Sequence, residues 1–433
     1  MLPRNKSLVL NSLWRLLLAA SQMIFQGAFV AVYTIFMTKD DYGLYGAAIT
    51  LSNMFQLVAV FGLREAIVRL LAFARGANQQ ERMRSYIRRG LHLSLSFSLG
   101  ASTLMLLLGP WLAGYLEQGD EWFRLLLLLA WITCALGIGG FLQGIIEGVQ
   151  EFKTHTKVRI ALQFVQLVLL VILTLAGLNV HIVLLLIAVI ATLQAAAFGW
   201  IVFDRIWKRL PVPAAPGKVG REILGYGAPL FINAVGGFLY TYVDILFIHS
   251  WLTLQDTADY FFMYTLFELP LRALASYVFV LHTEVSRCAG EKDFGRIKKL
   301  FRRSVAGASL MGVLSAAAFF CIGVLIDKWF IRYAGAVPLI KTMAPLFIIK
   351  IVAQVASGAF LVSLGRAGLL AVLTVTSGLV NVVLDVLWIP SNGTLGAVYA
   401  TLVGHGTMGV LTLILVVMYI HKMRSCDREE PDQ

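Results

Sequence analysis

Long apolar runs alternate with short polar interruptions along this chain, and each run has about the length of a helix that crosses a bilayer. A hydrocarbon core of ~30 Å takes about 20 helical residues. Twelve such segments can be traced, at residues 8–37, 43–73, 88–116, 122–149, 158–178, 181–206, 222–251, 257–284, 303–329, 338–363, 367–390 and 395–421. The first is too long for a signal-peptide core and ends on no clear small-x-small cleavage site, so it reads as a retained helix. The pattern predicts an all-α polytopic membrane protein.

Composition agrees, and charge orients the segments. Hydrophobic residues make up 59% of the 433 and charged residues 14%, with a mean hydropathy of +0.79. A soluble domain lies nearer half apolar and about a quarter charged. Of the 36 Lys and Arg, 26 fall in one alternating set of loops and termini, five in the other set and five within segments. The positive-inside rule then puts both termini in the cytoplasm. The same asymmetry accounts for the net charge of +12 through topology, with no call for a nucleic-acid partner. Cys134, Cys288, Cys321 and Cys426 are split between apolar runs and basic segments, so no pair is placed for an extracytoplasmic disulfide.

The middle of the chain holds a Pro-rich basic stretch, "KRLPVPAAPGKVGR" (Lys208–Arg221), with six segments before it and six after. Two six-helix lobes are therefore expected, at 1–206 and 222–421, joined by a cytoplasmic linker at 207–221 and followed by a tail at 422–433. An internal repeat supports this division. "DDYGLY" (Asp40–Tyr45) opens the second segment and "TADYFF" (Thr257–Phe262) the eighth, with Tyr42 to Tyr260 and Arg69 to Arg287 both offset by 218. Basic hairpins follow, "RMRSYIRRG" and "RIKKLFRRS", offset by 214. Halves of equal starting orientation are parallel repeats about an axis along the membrane normal, and substrate is then expected in a central cavity between them.

Charges inside the segments carry the candidate chemistry, because each costs ~2.5–3.5 kcal/mol at the bilayer centre. Glu65 and Arg69 stand i,i+4 with the acid first, and Glu268 and Arg272 repeat that spacing across Pro270. Self-neutralisation is the plain reading of both pairs. Beyond them stand Arg15, Arg64 and Lys350, against Asp244 and Asp385. At 1.5 Å per residue, Arg15 lies roughly 10 Å, Arg64 about 14 Å and Arg272 about 16 Å from the cytoplasmic ends of their segments. Arg15 is near enough to snorkel. Arg64 is not, and an arginine fork in a wet cavity suits an anion with paired oxygens. Asp244, in "LYTYVDILFI", is either a proton- or cation-coupling group or the salt-bridge partner of Lys350 or Arg272. Gly140, Gly144 and Gly148 form a small-xxx-small stripe that favours close helix packing. The Gly- and Pro-bearing "GYGAPLFINAVGG" (Gly225–Gly237) is a candidate hinge. His405, in "GHG", reads as a packed polar residue.

The segment "NVVLDVLWIPSNGTLGAVYATLVGHG" (Asn381–Gly406) resembles the span 11–12 signature of polysaccharide flippases, through Asn381, Leu384-Asp385, Ile389-Pro390, Gly393, Gly396-Ala397 and Ala400-Thr401. "DYGLYGAAITLSNMFQLVAVFGLREAIVR" is similar to the family's second span, and "YGAPLFINAVGGFLYTYVDILFI" to its seventh. On this resemblance, which covers most of the chain, it is identified as a member of the Wzx-type lipid-linked oligosaccharide flippases of the multidrug/oligosaccharidyl-lipid/polysaccharide exporter superfamily. The resemblance implies an alternating-access carrier in the inner membrane that moves an undecaprenyl-pyrophosphate-linked oligosaccharide to the outer leaflet for polysaccharide biosynthesis. Arg64, Arg272, Arg15 and Lys350 would receive the pyrophosphate, with Asp244, Glu65, Glu268 and Asp385 as coupling or ion-pair groups. Membrane lipids, and a polysaccharide polymerase or export machinery, are the partners it implies.

The sequence offers little to an enzyme. Its outer loops are short, leaving no place for the catalytic carboxylates of a membrane glycosyltransferase or polymerase, and no HExxH or CxxC spacing marks a metal site. No cofactor is implied. The lack of GxxxxGK[ST] argues against direct use of ATP, leaving an ion gradient, the membrane potential or product removal as the energy source. An ion-coupled drug antiporter of the same superfamily would want carboxylates in its first lobe, yet segment 8–37 has no Asp or Glu. A lipid II-type flippase shares the pyrophosphate chemistry and is not separated from the first reading.

Overall fold

The computed structural model describes residues 4–116, 122–211, 219–291, 293–329 and 331–428, and among them every regular element is helical. The chain runs through α1 (Arg4–Phe36), α2 (Lys39–Val60), α3 (Leu63–Gly76), α4 (Gln80–Leu107), α5 (Gly109–Leu116), α6 (Trp122–Gly148), α7 (Phe152–Leu173) and α8 (Val180–Ile201). It continues through α9 (Val219–Thr241), α10 (Val243–Trp251), α11 (Leu254–Gly290), α12 (Phe294–Trp329), α13 (Ala336–Met343), α14 (Leu346–Val355), α15 (Ala367–Asn392) and α16 (Thr394–Arg428). Nine of the described helices are long and apolar enough to cross a membrane, and the bent pair of α13 with the helix that begins at Leu346 makes a tenth, the two halves meeting at 52°. The two expected segments without such a helix are the two that carry Glu-Arg spacings. Segment 43–73 is broken into α2 and α3, and 257–284 lies within the single helix α11.

The break at 61–62 is local and sterically defined. Phe61 and Gly62 both take left-handed backbone, with φ of 42° and 65°, and the Phe61 amide closes α2 on the Leu57 carbonyl. α3 then starts at once, with Arg64 in its first turn. A Cβ on Gly62 would lie 2.4 Å from the Gly227 carbonyl oxygen of α9, so this position needs glycine for its φ and for its neighbour. Through the expected hinge 225–237, α9 is continuous, Pro229 included, and the interruption falls at Tyr242. α2 and α11 both open on a threonine N-cap, Thr38 accepting from the Asp41 amide at 3.1 Å and Thr253 from the Asp256 amide at 3.1 Å. Such caps contribute about 1 kcal/mol each. The repeated tyrosines, Tyr42 and Tyr260, are wholly buried.

Contacts divide the chain into two compact units, Met1–Val235 and Gly236–Gln433, with the dividing point inside α9. Of the expected linker, residues 212–218 lie outside the described residues, and of the expected tail, 422–428 extend α16 while 429–433 lie outside. In the first unit α6 is the central helix. Phe141, Ile145 and Ile146 meet Leu63, Ile67 and Leu71 of α3 in one apolar core. In the second, Phe267 of α11 packs on Phe347 of α14 at 4.4 Å. Large apolar side chains left exposed, such as Leu175, Trp111 and Trp200, are the surface a lipid solvent would cover. Cys134, Cys288 and Cys321 are free; the Cys426 side chain lies outside the described ones.

Candidate functional site

Arg64 is placed by packing. A Cβ on Gly144 would lie 2.8 Å from the Ile67 side chain, 2.9 Å from the Arg64 carbonyl and 3.1 Å from the Arg64 side chain, and one on Gly148 would meet Val68 and Leu71. The two glycines thus let α3 lie directly on the last turns of α6. Gly140 faces open space, so two of the three stripe positions do this packing. The close approach brings Arg64 to Glu147, into whose carboxylate one guanidinium nitrogen donates twice, at 3.1 Å to each oxygen. Gln143 donates to the same carboxylate at 2.9 Å. Glu147 is 15% exposed and Arg64 36%, so the carboxylate is sheltered while the guanidinium keeps an open side.

The expected pairing of Glu65 with Arg69 gives way to other contacts. Glu65 reaches its neighbour Arg64 at 3.7 Å, and exposed Arg69 lies over the exposed Tyr226 ring of α9 at 4.6 Å, a cation–π contact. Arg15 stands over the Phe152 ring at 4.1 Å and in electrostatic range of both Glu147 and Arg64. Half-buried Arg159 donates to Gln194, and His155 lies in range of Arg15, Arg64, Arg159 and Glu147. The first unit therefore gathers Arg15, Arg64 and His155 around one sheltered carboxylate, with Arg159 in range of Arg64 and His155. Two members escaped the sequence reading. Glu147 stands within the glycine stripe and Arg159 at the start of segment 158–178, and only their helix faces bring them here.

The second unit holds a different cluster. Asp244, in the first turn of α10 and 1% exposed, accepts from the Ile245 amide at 3.1 Å, from the Thr401 hydroxyl at 3.1 Å and from the Tyr260 hydroxyl. It takes hydroxyl partners instead of the ion pair with Lys350 or Arg272 that spacing allowed. Asp385 is wholly buried, with one carboxylate oxygen accepting from the Asn381 amide at 2.9 Å. The other oxygen of Asp385 and the side-chain oxygen of Asn381 have no donor. Lys350 stands over the Tyr240 ring at 4.8 Å, and that ring stacks on His405 at 3.7 Å, so His405 is packed as expected. Glu268 accepts from the Tyr264 hydroxyl at 3.4 Å, while Arg272 is exposed beside Tyr242 and does not close the expected i,i+4 pair. Tyr260, Asn381 and Thr401 join this cluster although sequence reading gave none of them a site role. Asn381 and Thr401 were visible in the signature segment, and their convergence on buried aspartates was not.

Residues 8–282 match the family model described as polysaccharide biosynthesis protein, which is more than half of the chain. The chain belongs to the polysaccharide biosynthesis protein family. A relative of this member, the probable low-salt glycan biosynthesis flippase Agl15 of Haloferax volcanii, is 26% identical over 201 residues, covering 45% of the chain and 41% of that protein, less than half its length. The uncharacterized membrane protein MJ1068 of Methanocaldococcus jannaschii is 22% identical over 409 residues, covering 88% and 78%. Among solved structures, an inward-facing multidrug resistance MATE family transporter of the MOP superfamily superposes with a TM-score of 0.80 at 12% identity, over 93% of the chain and 96% of its own. A MOP superfamily transporter from Pyrococcus furiosus, described as having a binding pocket of reverse polarity, gives a TM-score of 0.70 at 13% identity, over 97% and 96%. At such identities the likeness fixes the fold. The family places this multi-pass helical chain in polysaccharide biosynthesis, and its fold is that of the MOP superfamily transporters it superposes on.

Proposed function

We propose that the chain carries a polyprenyl-pyrophosphate-linked oligosaccharide from the cytoplasmic to the outer leaflet of the inner membrane by alternating access, with both termini cytoplasmic. Undecaprenyl is the lipid expected. The observation that carries this reading is Arg64, 36% exposed and held by one sheltered carboxylate, with Arg15 and Arg159 in electrostatic range. A guanidinium with an open side exchanges one pair of acceptor oxygens for another, and a pyrophosphate presents such pairs. Arg15 adds positive charge to the same cluster, and Arg272 and Lys350 are the cationic groups of the second unit. The sugars and pyrophosphate cannot cross hydrocarbon bare, whereas the polyprenyl tail can stay in lipid.

Asp244 and Asp385 are the coupling groups in this reading. Two buried carboxylates, an amide oxygen without a donor and the Thr401 hydroxyl form a cluster of oxygen atoms that suits a proton or a small monovalent cation. Glu65 and Glu268 act as local counter-charges.

The test is transport in proteoliposomes of a fluorescent polyprenyl-pyrophosphate sugar. Wild type is expected to flip it, folded Arg64→Gln to lose about ten-fold or more of the rate, and Asp385→Asn to keep binding while losing the response to an imposed ion gradient. Full activity in Arg64→Gln would return Arg64 to a structural role. Absence of flipping by wild type with a suitable glycan would shift weight to an ion-coupled drug antiporter.

A further inference from the structure

Away from the Arg64 cluster, the first unit has an open cavity of about 240 Å³ at its basic end. Three successive turns build it: the α3–α4 turn, the α6–α7 turn and the stretch that follows α8. Its charged lining is Arg75, Arg205 and Arg209 against Glu151 alone, and Asn78 and Gln80 add amide donors. We infer that this cavity is a second anion site, one that takes a phosphate-bearing group and is separate from the carrier's substrate site.

The arginines are positioned and have donors to spare. Arg75 gives one nitrogen to the Val149 carbonyl, and Arg205 gives one to the Thr154 hydroxyl at 3.1 Å. These bonds fix both forks at the cavity wall, while each guanidinium has five N–H donors in all. Arg209 donates to no protein group among the described residues. Both helix-to-helix turns use a left-handed residue, Asn78 at φ 58° and Gln150 at φ 64°. The helices that leave them, α4 and α7, start without a side-chain cap on Gln79 or Glu151, which adds unspent amides and positive dipole ends to the arginine set.

Size and side select the ligand class. The cavity falls below the ~300–1,000 Å³ of pockets for drug-sized ligands, so it suits a phosphate or diphosphate group and not an oligosaccharide. The positive-inside rule puts this end in the cytoplasm. There a phosphate-bearing group has two sources, the headgroup of an anionic phospholipid and a free phosphate or diphosphate.

The full chain would be placed in nanodiscs of neutral phosphatidylcholine at physiological salt and titrated with inorganic pyrophosphate by calorimetry. In a second arm, thermal stability would be compared in discs with and without phosphatidylglycerol. Arg209→Gln, whose side chain is exposed, and Arg205→Gln are the site variants, and exposed Arg88→Gln is the control. Saturable pyrophosphate binding, weakened about ten-fold in both site variants and unchanged in Arg88→Gln, supports the site with a soluble ligand. Stabilisation by phosphatidylglycerol that both site variants lose supports it with a lipid ligand. Response to neither probe, or a response that the site variants share in full with wild type, overturns it. Because the cavity is read through Arg205→Gln and Arg209→Gln and the flipping reading through Arg64→Gln, at a residue outside the cavity lining, failure here and failure of the flipping reading are distinguishable.

Discussion

Glu147 sets how tightly Arg64 is held before any ligand arrives. Both oxygens of its carboxylate meet one guanidinium nitrogen at 3.1 Å, and Gln143 fixes it from below. An anion that binds Arg64 must compete with that carboxylate. Glu147→Gln keeps the shape and removes the charge, so it is expected to tighten binding of a polyprenyl-pyrophosphate sugar about ten-fold and to slow its release. Equilibrium binding alongside single-turnover flipping would check both effects, and unchanged affinity would mean that Glu147 is no competitor. At this scale the sequence exposed the isolated charges, since each is costly in an apolar run. It did not expose their partners. Spacing along one helix suggested Glu65 with Arg69 and Glu268 with Arg272, yet Arg69 turns to Tyr226 and Glu268 to Tyr264. A partner on another helix depends on which face each side chain takes, and one sequence does not state that.

Among the elements, α3 and α6 show how glycine position converts into geometry. Gly144 and Gly140 belong to one stripe, but a methyl group added at Gly144 meets Ile67 and the Arg64 backbone within 3 Å, whereas Gly140 has nothing within 4 Å. Gly144→Ala should destabilise by about 1–3 kcal/mol through overpacking, and it should displace Arg64 from Glu147. Gly140→Ala should be neutral or stabilising by up to ~1 kcal/mol. Thermal unfolding of the two variants in the same detergent would separate them, and equal melting temperatures would refute the packing account. The stripe itself was readable from spacing, as were the apolar segments. The break at Phe61–Gly62 was not, because a left-handed phenylalanine has no local signature. The backbone of Gly227, far along the chain, packs against Gly62 there and excludes a larger residue.

For the molecule as a whole, topology is the property the sequence states most directly, because lysine and arginine counts depend on loops and not on side-chain faces. A cysteine-free background with single cysteines at Asn78, Lys157, Lys39 or Thr253 gives a direct check. A membrane-impermeant maleimide added to intact cells should label the Lys39 and Thr253 positions and leave the other two unlabelled until the membrane is opened. The reverse pattern would invert the assignment. The same connectivity has a consequence for synthesis. Arg64 and Glu147 are 83 residues apart, so at about 5–20 residues per second the ribosome makes the carboxylate roughly 4–17 s after the guanidinium. Through that interval α3 has Glu65 beside Arg64 but neither Glu147 nor the glycine face of α6 to pack against, so α3 is expected to reach its final place only after α6 has been made, out of its order in the sequence.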